Sequence, residues 1–293
     1  MSASEPRLPL HPRNRGFRWS QPSGPFRRIH PEQARAYREE GFFVLEDAFD
    51  PETVRALTRE IDPLEARTSE FLRTLPGGRM HIARADEITF SVHLVTRSPR
   101  LRELISGPVF CDLAHDLVGP DVRLYWDQAV YKKPGTASEF PWHQDNGYTY
   151  VEPQQYLTCW LALTDTDEER GCPWVAPGLH KLGTLRHEWT DLGWRCLEHP
   201  PRALAVPARA GSIVVFSSLT PHRTGPNRSA EVRKAYIVQL APDGACTWRE
   251  SGSGPAESEP CSAPDRQFPI LVRGEPSRPA GLPPSGERAT PSS

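Results

Sequence analysis

Apolar positions recur at helical spacing as far as Pro120 and then give way to short β-branched and aromatic runs. Pro31 and Glu32 suit the first turn of a helix running to Glu40, where Gly41 ends it. Phe42-Phe43-Val44-Leu45 reads as a strand. Asp50-Pro51-Glu52 opens a second helix, with Asp50 as its cap and Val54, Leu57 and Ile61 along one face. Residues 99–118 give further helix, closed by Gly119-Pro120. Beyond that, residues 122–131, 156–163, 203–206, 212–216 and 235–240 are strand-like runs separated by Pro and Gly turns. Helices first and many short strands afterwards predict a mainly β fold with flanking helices, a sandwich or jelly roll.

Proline changes the picture at both ends. The chain has 293 residues and 32 prolines, concentrated near the termini. Residues 1–28 are rich in Pro, Arg and Ser without periodicity and read as a flexible arm. Residues 29–242 carry the periodic pattern and form the expected domain. Residues 243–293 are dominated by Pro, Ser, Gly and Glu and read as a poorly ordered tail, with Phe268 to Val272 the segment able to dock. A net charge of -2 and a pI near 6.6 give no electrostatic reason to expect nucleic acid or an anionic membrane as partner. No apolar run is long enough to span a bilayer. The six cysteines form no C-x-x-C pair, and Cys159 lies inside an apolar run, which fits buried thiols in a reducing cytoplasm. The opening Met1-Ser2-Ala3-Ser4-Glu5-Pro6 lacks the apolar core of a secretory signal.

Candidate chemistry concentrates in Pro141-Trp142-His143-Gln144-Asp145. On an extended strand, residues i and i+2 project from one face, so His143 and Asp145 can converge on one ion. A second imidazole would complete a two-His-one-carboxylate set, which suits iron(II) because three coordination positions stay open. The triplet alone is weak, since ten histidines make a chance H-x-D ordinary. Its context adds weight. Residues 211–216 form a turn and strand that deliver His222 at the far end. Eleven residues later Arg233 opens another strand, where a planar guanidinium can grip a carboxylate through two nitrogens. His180 also follows a turn and competes for the place of third ligand, but it leaves little chain to return across a jelly roll.

Together these residues resemble the phytanoyl-CoA dioxygenase family. His143 and Asp145 match its H-x-D, His222 its distal histidine, and Arg233 the arginine that follows. Thr224 stands where the family carries a Ser or Thr beside the same carboxylate, and Trp160 and Gln144 look like family positions around the co-substrate. Gly171-Cys172 and Pro177-Gly178-Leu179-His180 resemble an architectural turn of the family. The likeness runs from about Arg38 to Pro242. It implies a double-stranded β-helix (a cupin-like jelly roll), iron(II), 2-oxoglutarate and oxygen, with ascorbate as an auxiliary reductant. A carboxylate at Asp145, where halogenating relatives have a small residue, favours hydroxylation, with succinate and carbon dioxide released.

Around the motif, Gln128 matches a region where relatives turn a polar residue toward the co-substrate, although a cross-strand amide bond explains it equally well. Trp142, Tyr148 and Trp174 are aromatic candidates for a small-molecule substrate pocket, and His81 with Arg84 for its mouth; aromatic residues on strands are more often core. Two other functions compete. One is a jelly-roll protein that binds metal without catalysis; the other is a cupin-type metalloenzyme that needs no oxo acid. Substrate identity and oligomeric state are not legible at this level.

Overall fold

Asp50 begins the longest helix, Pro51–Thr74, by accepting hydrogen bonds from the N–H groups of Glu52 and Thr53 at 2.8 and 2.9 Å. The computed structural model describes residues 8–249 and 257–277. The first helix spans Pro31–Glu40 and stops at Gly41, whose φ of 87° is open to glycine at little cost. A Cβ there would also strike the His180 ring and the Thr220 hydroxyl. Residues 99–118, expected as one stretch, form two helices, Pro99–Ile105 and Pro108–Leu117. Pro108 cannot donate within a continuing helix, and the chain turns at Gly107.

The strands build the expected jelly roll from two facing sheets. In the large one, Phe42–Leu45, Ile213–Ser217, Leu157–Ala162, Arg233–Pro242, Val122–Lys132 and Ile88–Val92 lie side by side, all antiparallel. The small sheet orders Leu204–Ala205, Pro173–Val175, His222–Thr224 and Phe140–His143. Among the described residues no helix is long and apolar enough to cross a membrane.

Strand alternation divides the core in two. Cys159, Leu161, Ile213, Val215 and Val238 face the helices, joining Leu57, Ile61, Phe110 and Leu113 in the larger cluster. Their neighbours Trp160, Val214, Phe216 and Ile237 face the small sheet. The large sheet is therefore covered on both sides, which explains why residues 213–216 are apolar without a break. Each fully buried Leu, Ile or Phe contributes about 1.5–3 kcal/mol.

Both ends are tied in more firmly than composition suggests. Asp116 accepts the N–H groups of Arg27, Arg28 and Ile29 at 2.8 to 3.1 Å, and the buried Asn14 side chain donates to the carbonyls of Leu182 and Thr184. Residues 243–249 and 257–277, expected to lack a packed core, instead contribute strands. Pro269–Val272 pairs with the start of Val122–Lys132, and Phe268, Ile270 and Leu271 enter the main core. Cys246–Arg249 lies between Tyr150–Glu152 and Glu257–Pro260. Order here comes from pairing with a sheet edge, which local composition does not record. The remainder of the expected tail, 250–256 and 278–293, lies outside the described residues.

Candidate metal centre

His143 ends its strand, and His222 opens the neighbouring one directly opposite, so the two Cα atoms are register partners. Their ring centroids are 4.1 Å apart. His143 Nδ1 lies 2.8 Å from the Pro141 carbonyl and His222 Nδ1 3.0 Å from that of Thr220. A carbonyl can only accept, so each Nδ1 carries a proton, which leaves each Nε2 as the nitrogen able to bind a metal. Asp145 lies in the short turn that follows the strand rather than on it; Gln144 stays extended (φ -109°, ψ 143°), so the same-face relation survives. Asp145 Oδ1 is 3.9 Å from His143 Nε2 and 3.8 Å from His222 Nε2. All three ligand atoms fall within 4.8 Å of one another. Burial and the neighbouring His222 hold His143 well below the ordinary histidine range, which keeps it in the neutral form that a metal requires.

The carboxylate is aimed by a residue that sequence reasoning missed. Thr158 donates from its hydroxyl to Asp145 Oδ2 at 2.6 Å, leaving Oδ1 turned to the imidazoles. His187 is mostly buried against the turn: its Nε2 accepts the Gln144 N–H at 3.0 Å while Nδ1 faces the Leu185 carbonyl. A Cβ at Gly147 would collide with that ring, so the turn needs glycine. His180 lies elsewhere, buried against Trp19 with Nε2 3.3 Å from the Arg38 carbonyl, and leaves the third place to His222.

Beside the triad is a cleft lined by Trp160, Thr224, Arg233, Ile237, Phe216 and Gln128. Arg233 is 1% exposed, and its guanidinium lies over the Trp160 ring at 5.5 Å. Nη1 reaches the Val130 carbonyl at 3.4 Å, whereas Nε and Nη2 are buried without partners. Burial lowers its pKa to about 10, so it stays charged at neutral pH. A buried cation with two idle donors is costly unless an anion completes it. A buried lysine stands next to it. Lys132, 0% exposed, donates to the Gly225 carbonyl at 2.6 Å and to the Thr224 hydroxyl at 3.3 Å. That contact leaves the Thr224 hydrogen available to a ligand. Nothing in the sequence flagged Lys132, since a Lys-Lys-Pro-Gly run normally reads as a solvated turn.

Other expected residues take different places. Gln144, expected near the co-substrate, is fully buried; its amide donates to the carbonyls of Gly183 and Leu219, and its oxygen accepts from Leu185 N–H. It fastens loops. Trp142 and Trp174 clasp the Arg223 guanidinium at 5.3 and 5.0 Å. Arg84 pairs with Glu87 at 3.5 Å and reaches the Asp191 carbonyl. His81 and Tyr148, by contrast, line a chamber of about 350 Å³ that also reaches His143 and Asp145. Gln128 borders both this chamber and the cleft, with its side-chain oxygen 3.2 Å from Trp126 Nε1.

The donor set of two imidazoles and one carboxylate fits a first-row metal such as iron(II), and the two unpartnered nitrogens of Arg233 fit a carboxylate. A family model described as phytanoyl-CoA dioxygenase matches residues 37–235. Phytanoyl-CoA dioxygenase of Arabidopsis thaliana is 22% identical over 258 residues, covering 75% of this chain and 91% of that protein. Ectoine dioxygenase of Bordetella parapertussis is 31% identical over 228 residues, covering 69% and 71%. Among solved structures, the non-heme alpha-ketoglutarate-dependent carbocyclase SnoK from nogalamycin biosynthesis has a TM-score of 0.61 at 24% identity, covering 75% of this chain and 86% of that one. EvdO2 from Micromonospora carbonacea, solved with 2-oxoglutarate, has a TM-score of 0.58 at 24% identity, covering 73% and 91%. At such identities the likeness of structures speaks to the fold.

Proposed function

The chain belongs to the phytanoyl-CoA dioxygenase family and is an iron(II)- and 2-oxoglutarate-dependent dioxygenase; from that premise we propose that it hydroxylates an unactivated C–H bond of a small molecule, with His143, Asp145 and His222 as metal ligands. In the balanced reaction, substrate, oxygen and 2-oxoglutarate give hydroxylated product, succinate and carbon dioxide. Iron with its co-substrate supplies the oxidant that breaks the C–H bond.

The protein's part is orientation and exclusion of water. Thr158 and the carbonyls of Pro141 and Thr220 fix the three ligands from behind. Arg233 and Thr224 take the far carboxylate of 2-oxoglutarate, with Lys132 holding the Thr224 oxygen. Trp160, Phe216 and Ile237 close the cleft with apolar surface. A reducing cytoplasm fits the six cysteines, which all stand as free thiols.

One observation carries this reading: the convergent triad opens onto the same cleft as a buried guanidinium with two unused donors. Succinate formation from 2-oxoglutarate with added iron(II) and ascorbate tests it. His143→Ala should abolish that activity, and Arg233→Ala should raise the 2-oxoglutarate requirement by about 100-fold or more. Full activity in Arg233→Ala would favour a metalloenzyme that uses no oxo acid. Tight 2-oxoglutarate binding with no turnover across a substrate panel would favour a non-catalytic binder.

A further inference from the structure

The chamber that reaches His143 and Asp145 is apolar where the reaction would occur, with Met80, Ile82, Phe90, Val92 and Phe140 on its walls. Tyr125, Trp126, Tyr148 and Thr149 also form part of a second, outer cavity of about 700 Å³. Both volumes lie within the roughly 300–1,000 Å³ of ligand sites. These four shared residues set the two spaces side by side, with the inner one reaching the metal centre.

The outer cavity has a different chemistry. Three arginines, Arg13, Arg186 and Arg266, stand against one carboxylate, Glu259, among its described lining residues. This local excess of positive charge occurs on a chain whose formal net charge is -2. Two of the guanidiniums are held against neighbouring groups and do not trail into solvent. Arg13 lies over the Trp248 ring at 4.3 Å. Arg266 Nη1 is 3.3 Å from His93 Nε2, and His93 meets the Trp126 ring edge-on at 4.2 Å. Trp126, Trp194, Trp248, Tyr148 and Tyr150 also line the outer cavity, with one face of Tyr150 stacked on His11. Indole and phenol faces stack on planar rings, and each such pair adds a few-fold to tenfold in affinity beyond simple burial.

We infer that the substrate is a planar aromatic or conjugated molecule with an acidic group remote from the carbon that is oxidised. The ring system lies between the aromatic walls, its anion faces the arginines, and the apolar end passes Trp126 and Tyr148 toward the metal. This rests on the oxygenase reading above for which end reacts. An unbranched fatty acid would meet the arginines but gain little from the aromatic walls. A neutral aromatic would do the reverse.

The test is quenching of tryptophan fluorescence in the full chain under nitrogen, without added iron and with excess 2-oxoglutarate to fill the Arg233 cleft. The probes are 2-naphthoate, its neutral amide 2-naphthamide, and octanoate. Naphthoate should bind at least about fivefold more tightly than either of the others, and high salt should weaken naphthoate alone. The double substitution Arg186→Ala with Arg266→Ala should cost naphthoate about tenfold, leave naphthamide unchanged, and leave the thermal midpoint in place. Equal binding of naphthoate and naphthamide overturns the inference, as does octanoate matching naphthoate or a double variant that keeps the preference. A chain lacking oxygenase activity could still pass this test, and an active oxygenase could still fail it, so the two readings stand or fall separately.

Discussion

Lys132 and Arg233 sit directly opposite each other on neighbouring antiparallel strands, and both are shut off from solvent. Their hydrogen-bond partners are backbone carbonyls and the Thr224 hydroxyl. Two adjacent buried cations repel, and each loses its hydration. Burial together with Arg233 drives Lys132 well below the ordinary lysine range. A bound dicarboxylate reverses both effects, because an anion favours the charged form of every cation around it.

The first prediction is therefore a proton count. At a pH above the depressed value, 2-oxoglutarate binding draws a proton onto Lys132, and affinity falls as pH rises. Calorimetry of 2-oxoglutarate binding in two buffers of different ionisation enthalpy should report proton uptake. Lys132→Met should remove that uptake and raise the 2-oxoglutarate KM by about tenfold, with kcat at saturation nearly kept. A buffer-independent enthalpy for the unaltered protein would sink this account.

Thr158 gives the second. Its hydroxyl holds Asp145 Oδ2 at 2.6 Å, so Thr158→Val frees the carboxylate to rotate without changing side-chain volume much. Outer partners of metal ligands are worth about 10- to 100-fold in affinity. Iron titrations should show a loss of that size, with Thr158→Ser restoring most of it. An unchanged iron requirement in the valine variant would mean that the turn alone fixes Asp145.

These positions also show how far local sequence reaches. Helix starts were readable because the signal is local: Asp50 accepts from N–H groups two and three residues away, and Pro51 takes the first helical position. The triad was readable because its residue types are uncommon in combination and each lies on a recognisable strand or turn. Thr158 and Lys132 were not, since their roles depend on partners 13 and 92 residues away. Gln144 misled for the same reason. Beside two ligands it looks like a contact to the co-substrate, yet its partners at Gly183, Leu185 and Leu219 pull it the other way.

Gln144 provides the third prediction, in which stability and binding part company. Gln144→Ala leaves two carbonyls and one N–H buried without partners, at about 1–3 kcal/mol each before water enters. Urea unfolding should show a loss of roughly 2–4 kcal/mol. The 2-oxoglutarate KM, measured below the unfolding transition, should stay within about twofold of the unaltered protein. A selective rise in KM with normal stability would return Gln144 to the co-substrate site.

Asp127 offers a pH test that does not involve the metal. Its Oδ2 accepts from Tyr236 Oη at 2.9 Å and Val95 N–H at 3.2 Å, while Oδ1 is buried without a partner. Burial pushes its carboxyl up from 3.8 to about 6. Between those values the folded chain keeps a proton that the unfolded chain has released. Stability from this group is thus full below about 4 and is lost as pH rises through about 6. Asp127→Asn has no such titration. The stability difference between the two proteins should move toward the unaltered chain by up to roughly 3 kcal/mol as pH falls from neutral to 4. The change in offset is the observable, because other groups titrate alike in both. Parallel stability curves across that window would mean that Asp127 is ionised at little cost, with water reaching Oδ1.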